Sequence, residues 1–349
     1  MNLKAFSRSK ATIRAHPWRA LALTAIAGFA LLNALAFMHA WSMTHFVKIG
    51  GRTADNDSQL EEMHLADKAR AVVFGVRINR PENYRTPSDL DLVFDTCRFD
   101  AGDGNECEAW FVPQKNPKGL VLLFHGFASC KTNLLAESQV FHELGYATLL
   151  VDFRGSGGSD GHTTTIGFRE ANDVRAAVDF AAEELGYSAP VLYGQSMGSA
   201  AILRAIAVHG VRPRGIVIEC PFDRLISTVE NRFSAMGLPS FPAAELLVFW
   251  GGVQQGYSGF SHNPADYAKS VNCPTLLLHG ANDARVTPVQ VRQVFDNLDG
   301  PKQLVLFDEL GHGAGLLADP ERWTSVIATY LGELPIGDIR VRNSAPEQN

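Results

Sequence analysis

Pro190-Val-Leu-Tyr-Gly194-Gln-Ser196-Met-Gly198-Ser-Ala-Ala-Ile-Leu-Arg-Ala-Ile-Ala207 is the stretch that decides the fold. A short apolar run ends in a serine set between two glycines, and helix-forming residues begin at once. This is a strand, a sharp turn and a helix, with the serine hydroxyl projecting from the C-terminal edge of a sheet. The flanking glycines let the backbone crowd together, and the helix N-terminus offers amide donors to a developing negative charge. The same Gly-x-Ser-x-Gly pattern recurs at Gly157-Gly-Ser159-Asp-Gly161, and 31 glycines make a chance match easy. There Gly161-His-Thr-Thr-Thr-Ile166 is no helix start, so Ser159 reads as a loop serine and Ser196 as the nucleophile.

Outward from this turn, short apolar runs alternate with helical stretches. The runs are Leu120–Phe124, Ala147–Val151, Pro190–Tyr193, Gly215–Ile218, Thr275–Leu278 and Gln303–Phe307. Between them lie helices expected over Asn133–Leu144, Arg169–Leu185, Met197–Val208, Pro288–Leu298 and Pro320–Leu331. Wholly apolar strands alternating with helices predict an α/β fold, a mostly parallel sheet covered on both faces. Upstream, Leu90–Phe99 and Cys107–Pro113 read as extended around the turn-rich Asp100–Asn105, a hairpin signal. Pro221–Asn272 is a longer insertion carrying Phe241, Phe249, Trp250 and Phe260.

A serine hydroxyl attacks well only when an imidazole takes its proton, and that imidazole needs a carboxylate to hold its tautomer. His312 follows the last strand in Asp308-Glu-Leu-Gly-His312-Gly, where glycines leave the ring free to reach Ser196. Asp283 follows the preceding strand in His279-Gly-Ala-Asn-Asp283. The chain order Ser196, Asp283, His312 puts each at the C-terminal end of a strand, whereas Asp308 and Glu309 are neighbours of His312 in sequence only. His125 and His279 each end a strand as His-Gly and read as structural hydrogen-bonding groups at the strand edge. The backbone N–H groups of Met197 and Phe127 are the expected oxyanion donors. Gly126-Phe-Ala-Ser-Cys-Lys131-Thr132 lacks the glycine before lysine that a phosphate loop needs, and Arg154–Ser159 opens no helix as a dinucleotide site would.

Five motifs now stand in order: Phe124-His-Gly-Phe127, Asp152-Phe-Arg-Gly-Ser-Gly-Gly-Ser159, Gly194-Gln-Ser-Met-Gly198, His279-Gly-Ala-Asn-Asp283 and Gly311-His312-Gly313. From about Leu90 to Leu331 the chain resembles the α/β-hydrolase-fold serine hydrolases, in particular their short-capped esterase, lipase and serine-aminopeptidase-like branch. The resemblance implies a central mostly parallel sheet, the triad Ser196–Asp283–His312 and a cap built from residues 221–272. It implies no metal and no organic cofactor. The expected activity is cleavage of a carboxylic ester through an acyl-enzyme, on a small-molecule or lipid-like substrate. Amide, peptide or thioester hydrolysis would use the same residues, and a binding module on an inactive fold is the reading from another class.

The N-terminal region is a departure from that resemblance. Ala20–Thr44 holds no Lys, Arg, Asp or Glu, and about 20 apolar residues in a helix cross a hydrocarbon core of roughly 30 Å. A cleaved signal peptide, with Ala34-Leu-Ala36 as its site, and a buried core helix are the competing readings. Lys4, Arg8, Lys10, Arg14 and Arg19 before the run, against Lys48 and Arg52 after it, predict an N-terminus in the cytoplasm and a body outside. The expected organisation is a basic segment at 1–19, a transmembrane anchor at 20–43 and a stalk at 44–89. A hydrolase domain at 90–333 and a loose tail at 334–349 follow, and a helix is expected over Gln59–Phe74.

Those five N-terminal residues leave 26 basic against 37 acidic residues in the rest of the chain. Nucleic-acid binding rests on neutralising phosphates, so nucleic acid is an unexpected partner for such a body. The five cysteines lack metal-type spacing. Cys97 and Cys107 flank the hairpin symmetrically about Gly102 and, in that register, face one another, which predicts a disulfide outside the cytoplasm. Cys130, Cys220 and Cys273 read as buried free thiols.

Overall fold

The computed structural model describes residues 17–48 and 75–335. The helix expected over Gln59–Phe74, the basic residues up to Arg14 and the tail beyond Pro335 lie outside the described residues.

Eight strands form one sheet: β1 (Asp95–Asp100), β2 (Glu106–Val112), β3 (Leu120–Phe124), β4 (Ala147–Val151), β5 (Val191–Gln195), β6 (Gly215–Glu219), β7 (Thr275–Gly280) and β8 (Lys302–Phe307). Their order is β1-β2-β4-β3-β5-β6-β7-β8. The β1–β2 and β2–β4 pairings are antiparallel and all others parallel. The six apolar runs seen in the sequence are β3–β8, and β3–β7 are buried at nearly every position, as a sheet covered on both faces requires. In β3, Leu120, Leu122 and Phe124 enter one core, and Val121 and Leu123 the other.

Helices α2 (Leu135–Glu143) and α10 (Pro320–Glu333) close one face, through Phe141, Trp323 and Ile327. Helices α3 (Glu170–Glu183), α4 (Met197–His209) and α8 (Pro288–Asn297) close the other, through Val174, Ile202 and Val291. Between β6 and β7 the insertion folds as α5 (Leu225–Ala235), α6 (Ala243–Gln255) and the single turn α7 (Pro264–Tyr267). Another short turn, α9 (Gly315–Ala318), precedes α10.

The apolar N-terminal run is one helix, α1 (Pro17–Thr44). It is long and apolar enough to cross a bilayer, and its N-terminal half, through Leu31, is exposed throughout. Its C-terminal half is tied to the body. Trp250 Nε1 of α6 donates to Asn33 Oδ1 (3.1 Å), and Gln254 Nε2 donates to the Phe37 carbonyl (2.8 Å). Beyond the helix, Phe46 N–H donates to the His162 carbonyl and Thr164 N–H to that of Thr44.

Two expectations need correction. Residues 75–89, expected to belong to a stalk, lie against the body. Arg80 donates to the carbonyls of Gly157, Ser159 and Gly161, and Asn83 donates to Asp152. Cys97 and Cys107 do not face one another either, since Cys97 pairs with Ala109 and Cys107 with Phe99. Ala101 N–H bonding to the Asn105 carbonyl shifts the register two residues from symmetry about Gly102. The two cysteines are therefore diagonal neighbours, a spacing of roughly 7–8 Å that exceeds disulfide reach. All five cysteines are free thiols, Cys273 only half-buried.

Candidate active site

Strand β5 delivers its chain to the sheet edge at Gln195, and α4 starts at Met197, leaving Ser196 alone in the turn. Its backbone is held at φ 49°, ψ −105°, a conformation that an L-residue adopts at a cost of order 1–3 kcal/mol. The elbow glycines make this turn possible. A Cβ on Gly198 would meet the Phe124 carbonyl oxygen at 2.3 Å, and one on Gly194 would meet the Gly198 carbonyl carbon at 2.7 Å. Ser196 N–H donates to the Glu219 carbonyl, and Ser199 Oγ donates to the carbonyls of both Gly194 and Glu219. The strain is thus held in place by backbone bonds to β6.

His312 reaches Ser196 from the loop after β8. Its Nε2 lies 3.1 Å from Ser196 Oγ, and its Nδ1 lies 2.7 Å from Asp283 Oδ2. Asp283, buried in the loop after β7, accepts the backbone N–H groups of Arg285 and Val286 on its other oxygen. Burial pushes the Asp283 carboxyl up, but the bonds from His312 and those two amides outweigh it and hold it below the usual carboxylate range. An ionised Asp283 fixes Nδ1 of His312 as the protonated nitrogen and leaves Nε2 free to accept the serine proton.

Phe127, in the loop after β3, and Met197, the first residue of α4, flank the serine. A Cβ on Gly126 would stand 3.9 Å from Ser196 Cβ, so the loop after β3 closes directly on Ser196. The Phe127 ring lies 6.2 Å from Phe46, just beyond α1, and 6.0 Å from the Arg232 guanidinium of α5. On the other flank, Asn231 of α5 donates to the Arg285 carbonyl and to Gln290. The cap and the end of α1 therefore border the same cleft.

The other sequence candidates have structural partners. Ser159 is buried, donating from Oγ to the Asp152 carbonyl (2.7 Å) and accepting from Glu108 N–H (2.8 Å). Lys131, in the incomplete phosphate-loop pattern, is buried against Asp152 and Glu108. His125 holds the strand edge, accepting from Phe153 N–H on Nε2. His279 makes no such bond. Its Nδ1 instead stands 3.9 Å from Asp283 Oδ2, because it points inward at the residue four further along.

Two features escaped the sequence. Cys220, at φ 46° after β6, places its sulfur within 4.8 Å of ligand atoms of Asp283 and His312. Those three donors could in principle hold a metal, but Asp283 is already committed to His312 and two amides, and burial pushes the Cys220 thiol far up. The second feature is a pair of buried carboxyls behind the elbow. Glu137 accepts from Gln195 Nε2 (2.8 Å), and Glu219 accepts from the Trp323 indole. Burial raises Glu219 to about 7 and, with Glu219 alongside, Glu137 to about 8. An acid closing an apolar strand was the available signal for Glu219, whereas Glu137 gave none.

By strand order and motif order the chain has the α/β-hydrolase fold. The sequence profile described as "Serine aminopeptidase, S33" matches residues 115–246. Among curated proteins, the chain is 22% identical to the uncharacterized protein YqkD of Bacillus subtilis, covering 66% of this chain and 77% of that one. It is 23% identical to the protein bem46 of Schizosaccharomyces pombe (72% and 81% covered). To the lysophosphatidylserine lipase ABHD12 of Danio rerio it is 22% identical (61% and 58% covered). Among solved structures, the Pyrococcus furiosus esterase Pf2001 superposes with a TM-score of 0.62 at 22% identity, over 74% of this chain and 98% of that one.

Proposed function

We propose that the protein is a membrane-anchored serine hydrolase that cleaves carboxylic esters through an acyl-enzyme. The observation that carries this reading is the continuous line Ser196 Oγ–His312 Nε2, His312 Nδ1–Asp283 Oδ2, set on a strained strand-to-helix turn. Ser196 Oγ attacks the ester carbonyl carbon as His312 Nε2 takes its proton. Backbone N–H groups of Met197 and Phe127 stabilise the oxyanion, His312 returns the proton to the departing alkoxide, and the acyl group stays on Ser196. Water then attacks that acyl group with His312 again as base, releasing the acid. Asp283 keeps the imidazole in the tautomer both half-reactions need.

The relatives' printed names, esterase and lipase, favour an ester over an amide. The length and exposure of α1 support a membrane anchor, and the basic residues before it support an N-terminus on the cytoplasmic side with the body across the membrane. A fluorophosphonate probe tests the chemistry. It should label the wild-type protein and not Ser196→Ala, and a panel of esters of increasing acyl length should reveal turnover. A chain that neither labels nor turns over any ester is not a serine esterase.

A further inference from the structure

The part of α1 that stands clear of the body is too short to cross a membrane. Arg19 is the last charge before the span, and every residue from Ala20 to Leu31 is exposed. Those twelve residues rise about 18 Å, whereas a hydrocarbon core is roughly 30 Å thick. About eight more residues, Leu32–His39, must complete the crossing. This is the segment that meets the cap, where Trp250 bonds Asn33, Gln254 bonds the Phe37 carbonyl, and the Phe37 and Trp250 rings touch edge-on at 5.4 Å. The exposed Trp18 and Trp41 bracket the span about 35 Å apart, a separation suited to the aromatic belts at the two membrane surfaces. If α1 spans, its cap partner α6 cannot stay in water.

The cap surface is built for that position. The stretch Phe233–Ala244 contains no charged residue, and it exposes Met236, Leu238 and Phe241, the last at 75%. On α6, Phe249 and Val253 also face outward. Asn33 would be a costly polar group in lipid, and Trp250 provides its partner.

We propose that α6 and the loop before it, Met236–Phe241, are seated in the membrane leaflet from which α1 emerges. An acyl substrate then enters the Ser196 cleft directly from lipid. The cleft lies between Phe46, just past α1, and α5, the helix that leads into this loop. The inference rests on α1 being a membrane anchor, and the test separates the two.

The full chain is reconstituted in phosphatidylcholine vesicles containing a diazirine-bearing phosphatidylcholine, irradiated and mapped by peptide. Lipid adducts are expected on α1 and also on the peptides covering 236–241 and 249–253. Adducts on α1 with none on the cap would overturn the cap placement and leave the anchor standing, while no adducts on α1 would overturn both. A Phe241→p-benzoylphenylalanine variant that crosslinks to a second chain on irradiation, in place of lipid, would assign the surface to that copy and overturn the proposal. Independently, Leu238→Asp with Phe241→Asp should cut hydrolysis of a long-chain ester dissolved in the vesicles at least ten-fold. Hydrolysis of a short water-soluble ester should not change. Unchanged rates on both would remove the lipid route.

Discussion

His312 Nε2 stands 3.1 Å from Ser196 Oγ although 116 residues separate them, and Ser159, far closer to Ser196 in sequence, has no part in that contact. The consequence is a test between the two Gly-x-Ser-x-Gly copies. Ser196→Ala should abolish fluorophosphonate labelling and ester turnover while the protein stays folded. Ser159→Ala should retain turnover but lower stability by about 1–3 kcal/mol, because it strips partners from the Asp152 carbonyl and Glu108 N–H. Labelling that survives in the Ser196 variant would move the nucleophile elsewhere.

In the proposed triad the carboxylate is that of Asp283, 2.7 Å from His312 Nδ1. Asp283→Asn should reduce kcat by roughly 10³–10⁴-fold with little change in thermal stability, since an amide stabilises the wrong imidazole tautomer. Asp308→Asn and Glu309→Gln should stay near wild type, because neither side chain bonds His312. Steady-state kinetics on one soluble ester, run on all three variants, is sufficient. A crippled Asp308 variant would redraw the triad.

The elbow should reject a methyl group. Gly198→Ala puts a Cβ 2.3 Å from the Phe124 carbonyl oxygen, and backbone must move to relieve it. The expected loss is roughly 1–3 kcal/mol or more, together with displaced oxyanion donors. Gly210→Ala is a useful control for the packing component, since nothing lies within 4 Å of its added Cβ, although φ 68° still strains it. Equal melting temperatures for wild type and Gly198→Ala would contradict the close approach.

The carboxyl pair behind the elbow should make stability depend on pH. Glu137 and Glu219 are raised from 4.5 to about 8 and about 7. Between these limits the folded protein keeps protons that the unfolded chain has lost, so stability must fall as pH rises through the window. The melting temperature, scanned from pH 5 to 9, should decline across neutrality. Glu137→Gln with Glu219→Gln should flatten that decline. A wild-type curve that rises over the same range would refute the assignment.

Topology can be read from protease access. Protease added to sealed cells should digest the body and spare a tag at Met1, as the basic N-terminal flank predicts. Non-reducing peptide maps should recover Cys97 and Cys107 unlinked, because the hairpin register holds them two positions out of line. A linked pair would require a different register.

The sequence alone determined the inner strands β3–β7, because a sheet buried on both faces writes itself as uninterrupted apolar runs. By contrast, β1 begins at Asp95 and not at Leu90, which closes a 3-10 turn. Leu120–Phe124 and Ala147–Val151 are legible to the residue. It also determined the elbow at Ser196, whose glycines and immediate helix are local necessities, and the order of the residues that would serve it. Other properties depended on which distant segments meet, and local periodicity carries no record of that. The hairpin register followed from the bond between Ala101 and Asn105, not from symmetry. The pairing of Glu137 with Glu219 needed a helix and a strand brought together in the core. Above all, an apolar helix reads the same whether it stands alone or leans on a neighbour. Only the packing of Asn33 and Phe37 against Trp250 and Gln254 joined α1 to the cap, because long-range contacts are decided by the shapes of folded surfaces.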